Sequence, residues 1–204
     1  MKFDYIEQYE KLHKQDLDYG ASASRYLPEI CLLIDYLKPK TILDYGCGKG
    51  ALSNALIEKY PDIKIYKYDP AIPEYNEIPV EHVDMLICQD VLEHIPEEFL
   101  PKVIEEIKNI ADNALIGLFH IKSGNILPNG EDAHCTIQPP EWYKELIGKY
   151  YNKVEILKGR FVHQTNAITF EINDEIKKQY YKLMAKGFIE YKNKIDKYHQ
   201  TKGL

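Results

Sequence analysis

The chain has 204 residues, of which 45% are hydrophobic and 28% charged, with a net charge of −6. That is the length of one domain with a small appendage, and it is enough to bury a core without disulfide staples. The balance excludes a disordered or collagen-like chain, and no apolar run approaches the roughly 18 residues of a membrane span.

Residues 3–16 read as a polar helix with Phe3, Ile6 and Tyr9 on one side, broken at Gly20. A second helix, capped by Ser22 or Ser24, runs to about Leu37 and carries Leu27, Ile30, Ile34 and Leu37 on one face. Strands and helices then alternate. Strands are expected at 41–45, 64–68, 83–88 and 114–120, and helices at 51–59, 96–111 and 141–150, the last with Trp142 as a core anchor. Strands at 153–158 and 167–172 follow with no helix between them, so they form an antiparallel edge hairpin. Asp174 opens a long final helix to about His199, interrupted softly at Gly187. The alternation predicts an α/β fold of Rossmann-like type, mostly parallel, with helices on both faces. Three units are expected: a helical cap at 1–40, a ligand-binding domain at 41–173 and a C-terminal helix at 174–204.

Cys31, Cys47, Cys88 and Cys135 are isolated, as reduced thiols of a cytoplasmic protein would be. The start, MKFDYIEQYEKLHK, lacks the apolar core of a secretory signal. The expectation is therefore a cytoplasmic protein with no membrane partner. The oligomeric state is not readable. Residues 174–204 carry eight Lys against four acids on an otherwise acidic chain. This basic, tyrosine-containing tail makes nucleic-acid contact a secondary expectation beside that of a solvated amphipathic helix.

The informative segment is Asp44-Tyr45-Gly46-Cys47-Gly48-Lys49-Gly50, between the first strand and the next helix. In an open α/β sheet the ligand crevice lies beyond the carboxyl ends of the strands, beside such a turn. Glycines let the backbone approach a ligand, and the following helix turns free N–H groups toward it. Asp69 ends the second strand, where a carboxylate can accept both hydroxyls of a ribose. The spacing is G-x-G-x-G, not the G-x-G-x-x-G of dinucleotide binders, which sets an NAD-dependent oxidoreductase aside as the outside alternative.

The ordered set of strand, D-x-G-x-G-x-G, helix, strand and terminal Asp resembles the class I S-adenosylmethionine (SAM) dependent methyltransferases over residues 41–172. LDYGCGKG is similar to the family's first motif, YKYDP to its second and ICQDVLEHIP to its strand-four motif. The resemblance implies that Gly46, Cys47, Gly48 and Gly50 line the methionine part of SAM and that Asp44 lies near its amino group. It implies that Asp69 binds the ribose, that Pro70 and Ala71 lie beside the adenine, and that Cys88, Gln89 and Asp90 border the methyl group. The family fits a helix and a third strand between Asp69 and Asp84, and adenine contacts usually come from there. Here that stretch is the proline-rich PAIPEYNEIPVEHV, so the third strand is expected to be short or missing.

Asp90, Glu93 and His94 follow the strand-four motif at i, i+3 and i+4, a spacing that converges on a helical turn. With His134 they are similar to the E-x-x-E-H cluster of some metal-dependent O-methyltransferases, which implies a divalent metal (Mg or Mn). Without a metal, His134, His94 and Asp90 are the candidate general bases, and His134 is preferred over His120. The segment before the first motif, with Tyr5, Tyr9, His13, Tyr19, Arg25, Tyr26 and a hinge over Leu17–Ser22, is read as a lid or as a packed helix. The expected function is methyl transfer to a small-molecule or sugar acceptor, favouring oxygen. An RNA 2′-hydroxyl methyltransferase and a non-catalytic SAM-binding module are the alternatives.

Overall fold

The structure is a computed structural model. It describes residues 4–16 and 19–202, with the side chains of 5–16 and 19–197. Phe3 and the hinge residues Leu17 and Asp18 lie outside the described residues. Helix α1 (Asp4–Gln15) is followed by a 3-10 turn at Ser22–Tyr26 that runs into α2 (Leu27–Leu37). Next come β1 (Thr41–Tyr45), α3 (Ala51–Lys59), β2 (Lys64–Tyr68), β3 (Met85–Gln89), α4 (Leu100–Ile110) and β4 (Ala114–Phe119). The chain closes with α5 (Pro140–Ile147), β5 (Glu155–Lys158), β6 (Gln164–Ile168) and α6 (Asp174–Lys202).

The six strands form one sheet in the order β2-β1-β3-β4-β6-β5. The pairs β1–β2, β1–β3 and β3–β4 are parallel, whereas β6 runs antiparallel to both β4 and β5. The expected mostly parallel sheet with an antiparallel hairpin is therefore present. No strand forms between β2 and β3, because prolines remove donors and fix φ where a strand would pair. That stretch instead holds a 3-10 turn at Pro73–Tyr75 and places Ile78 and Val80 against the core.

Helices cover both faces, since the strands of a parallel sheet are apolar on both sides. On one face α4 and α5 pack through Ile104, Ile107, Tyr143 and Leu146. On the other, α2, α3 and α6 pack through Ile30, Leu33, Leu52, Leu56, Tyr180 and Met184. No helix among the described residues is long and apolar enough to cross a membrane.

Several local expectations are corrected. No serine side chain caps α2; Pro28 stands in its first turn and the left-handed Lys38 ends it. Tyr143, not Trp142, is the buried anchor of α5, and Trp142 lies edge-on to it, only half-buried. The segment at 97–99 is a separate 3-10 turn ahead of α4. The last strand lies at 164–168, earlier than read, and α6 continues through Gly187 without a break.

Candidate active site

The carboxyl ends of β1, β2, β3 and β4 open into one cavity of about 580 Å³. Its floor is the turn after β1. Gly46, Gly48 and Gly50 have φ of 76°, 52° and 75°, a region where a side chain is strained. The Gly46 and Cys47 N–H groups both donate to the Tyr68 carbonyl, at 2.7 and 3.0 Å, which ties the turn to the end of β2. No side chain caps the α3 N-terminus, so its first N–H groups stay available.

Asp69 sits beside this turn, 8% exposed. Its Oδ2 accepts from the Gly48 N–H at 2.8 Å and its Oδ1 from the Ala71 N–H at 2.9 Å. Both oxygens keep lone pairs for further donors. Burial pushes its carboxyl up, opposed by these two N–H groups and by nearby His13.

The N-terminal segment roofs the cavity. Tyr9 and Leu12 of α1 pack on Ala71, Leu127 and Ala133, and the Tyr9 hydroxyl donates to the Ala133 carbonyl at 2.6 Å. The Lys49 N–H donates to the Gly20 carbonyl at 3.1 Å, and the Lys49 ammonium to the Asp16 carbonyl at 2.7 Å. A Cβ at Gly48 would stand 2.3 Å from the Gly20 carbonyl oxygen. Gly48→Ala should therefore push the roof off the turn besides straining a left-handed φ, which alone costs about 1–2 kcal/mol. The expected result, read by thermal denaturation, is a lower Tm and loss of stabilisation by S-adenosylhomocysteine (SAH).

Not every residue expected in the cofactor crevice lines it. Gly46, Cys47, Gly48, Asp69, Pro70, Ala71, Gln89 and Asp90 do. Asp44 lies under the turn, 2% exposed, where its Oδ2 accepts the Ser53 hydroxyl at 2.5 Å. Burial raises its pKa to about 6. Gly50 starts α3 against the Lys67 side chain, and Cys88 is wholly buried in the sheet. Gln89 enters the space left by Gly117, where a Cβ would be 2.2 Å from its Oε1.

The expected metal cluster is a correction. Residues 92–94 form a 3-10 turn, not the α-helical turn that would bring i, i+3 and i+4 together. Asp90 takes a left-handed φ of 56° and turns to the Tyr26 hydroxyl (3.3 Å) and the Gln164 amide (3.5 Å). Burial holds its pKa up near 6. Glu93 points into the protein, fully buried, and its Oε1 accepts from the Phe119 N–H at 3.2 Å. Burial, then the Asp90 charge, keeps its carboxyl well above the usual range. Among the described residues no group of three or more His, Cys, Asp or Glu side chains is placed to hold a metal ion.

The two histidines do meet. The His94 and His134 rings lie 4.8 Å apart, nearly perpendicular, and both line the cavity. His94 Nδ1 lies 2.8 Å from the Ala133 carbonyl and His134 Nδ1 2.6 Å from the Ile121 carbonyl. A carbonyl only accepts, so each Nδ1 carries the proton and each Nε2 presents a lone pair. Burial lowers both pKa values; that of His94, also opposed by His134, falls to about 4. Both rings are thus neutral near pH 7. His120 has both nitrogens engaged, with the Gln138 carbonyl and the Thr165 hydroxyl, which is a structural role.

Sequence reasoning missed the contribution to the cavity of α4, through Val103 and Glu106, and of the turn ahead of it, through Phe99. Nothing in an amphipathic helix read as core packing marks them.

Residues 19–118 match the model of a methyltransferase domain family. The matched stretch is 100 of the 204 residues, just under half of the chain. No curated protein matches the chain at a significant level. Among solved structures, the chain is similar to 1,6-didemethyltoxoflavin-N1-methyltransferase from Burkholderia thailandensis, with bound 1,6-didemethyltoxoflavin and SAH. There the TM-score is 0.57 at 15% identity, over 80% or more of both chains (83% of this one and 86% of that). It is also similar to human N-acetylserotonin methyltransferase in complex with SAM, with a TM-score of 0.53, 15% identity, and 72% and 52% of the two chains. A third is magnesium protoporphyrin IX methyltransferase from Synechocystis with bound SAH, at TM-score 0.51 and 18% identity, over 74% and 84%. The chain spans 52% of the human enzyme, and 60% and 58% of two further O-methyltransferase-like neighbours, from Nostoc punctiforme and Burkholderia thailandensis. At these identities the likeness establishes the fold.

Proposed function

We propose that the protein is a SAM-dependent methyltransferase acting on a small molecule, with oxygen the favoured acceptor atom. The observation that carries the reading is the joining of the glycine turn to Asp69 at the floor of a single roofed cavity. The residues fit the cofactor: the turn and the α3 N-terminus would hold the amino-acid moiety, and the Asp69 oxygens, which keep free lone pairs, would accept from the ribose. When bound, SAM supplies an electrophilic methyl on a sulfonium. This chain aligns the acceptor, excludes water under α1, and removes a proton where the acceptor is a hydroxyl.

The proton acceptor in this reading is Nε2 of His134, with His94 beside it. A hydroxyl needs such a base, because its own pKa lies far above neutral. The lowered imidazole pKa values keep the base available at and below pH 6.5. Asp90 is held by Tyr26 and Gln164 at the end of β3 and is the second candidate. The fold neighbours named above are small-molecule methyltransferases, which supports an acceptor of that class over RNA. The C-terminal basic helix remains the feature on which a nucleic-acid acceptor would rest.

The test has two arms. SAH, and not NADH, should raise the Tm of the full chain, since a ligand stabilises the state it binds. Methyl-labelled SAM should then transfer label to a component of a small-metabolite extract. In that assay His134→Ala should lower turnover by about 100-fold or more, the usual range for a general base, and a chelator should leave it unchanged. Stabilisation by NADH alone would overturn the assignment. Stabilisation by SAH without label transfer to any acceptor would favour a binding module.

A further inference from the structure

The shortened stretch after β2 leaves a question the fold itself answers. Of residues 70–83, only Pro70 and Ala71 line the cavity. The walls for a planar base beyond Asp69 must come from elsewhere. On the side of the sheet covered by α4, the cavity extends into a niche lined by Tyr5, Tyr45, Tyr68, Phe99, Val103 and Glu106. The Tyr45 and Tyr68 ring centroids lie 4.9 Å apart. Tyr5 of α1 stacks on Phe99 at 5.7 Å with an interplanar angle of 25°. These flat apolar surfaces suit an aromatic heterocycle. A carboxylate, Glu106, stands among them, with Lys102 one helical turn before it on the cavity wall. The Tyr45 hydroxyl donates to Glu106 Oε1 at 2.6 Å, which fixes that carboxylate at the edge of the niche.

We infer that this niche takes the purine of the cofactor and that Glu106 selects the base by accepting a hydrogen bond from its 6-amino group. The inference rests on the SAM reading and goes beyond it by naming the residue that reads the base. Glu106 Oε1 accepts the Tyr45 hydroxyl, and the carboxyl oxygens keep further lone pairs for a donor. A 6-amino group brings the N–H donor that such an oxygen needs. A 6-oxo group brings only lone pairs, which a carboxylate repels. Sites built to receive a donor reject the analogue lacking it, because the buried polar group is then unpaired.

The experiment is calorimetric binding of SAH and of S-inosylhomocysteine, its 6-oxo counterpart, to the full chain and to Glu106→Gln. The wild type should bind SAH more tightly than the 6-oxo analogue by about 10- to 100-fold, the range of a hydrogen bond to a charged group. Glu106→Gln should narrow that ratio to near unity, because the amide can turn its NH₂ toward a 6-oxo oxygen. The wild-type ratio needs no variant, so it stands even if the substitution disturbs folding. Equal affinity of the wild type for both ligands, or an unchanged ratio in Glu106→Gln, would overturn the inference while leaving the SAM reading intact. Failure of the wild type to bind either ligand would overturn both.

Discussion

Asp69→Ala should lower affinity for SAH by about 100-fold or more and remove the rise in Tm that SAH produces. Two ribose hydroxyls donating to a carboxylate are each worth about 1.5–3 kcal/mol. The same oxygens also accept the N–H groups of Gly48 and Ala71. The substitution thus strips the ligand's partner and frees the turn that faces its other end. Asp69→Asn keeps one acceptor oxygen and should fall between the two. Isothermal titration of the three proteins decides the matter: wild-type affinity in the alanine variant would mean that the nucleoside is held elsewhere.

The largest expected effect on stability lies far from the cofactor turn. Arg160, in the connection between β5 and β6, donates to Glu29 of α2 at 2.5 Å, with the two side chains 8% and 2% exposed. Gly187 of α6 lies against the guanidinium, leaving no room for a Cβ, and Tyr26 lies 5.5 Å from it. Removing one member of such a pair leaves the other charge buried and uncompensated, at a cost of about 3–5 kcal/mol. Arg160→Leu should therefore lower the Tm by roughly 10 °C for a chain of this size. Replacing both members, as Glu29→Leu with Arg160→Met, removes the stranded charge and should recover most of the loss. A Tm equal to wild type in the single variant would show that water reaches the pair.

The sheet was legible because its signals are local and redundant: apolar runs bounded by glycine or proline, and helical periodicity between them. The cavity floor was legible for the same reason, since the glycines and Asp69 belong to turns whose geometry follows from residue type. What failed depended on backbone conformation that spacing does not encode. The D-x-x-E-H run reads as one face of a helix. A left-handed Asp90 followed by a 3-10 turn sends its three members in different directions. His94 and His134 were paired by analogy and do meet, but through their rings and with their Nδ1 atoms bound to backbone carbonyls. Glu106 was invisible because its role comes from a neighbour, Tyr45, distant in the chain.

The backbone bond from Lys49 to Gly20 has a kinetic consequence. It ties the roof to the loop that would face the amino-acid end of the cofactor, so opening the roof loosens that loop. Release of spent cofactor is then expected to be slowed by the roof, and association to fall below the diffusion limit. Loosening that latch would speed release of the demethylated product and relieve inhibition by it, at the expense of shielding the reaction from solvent.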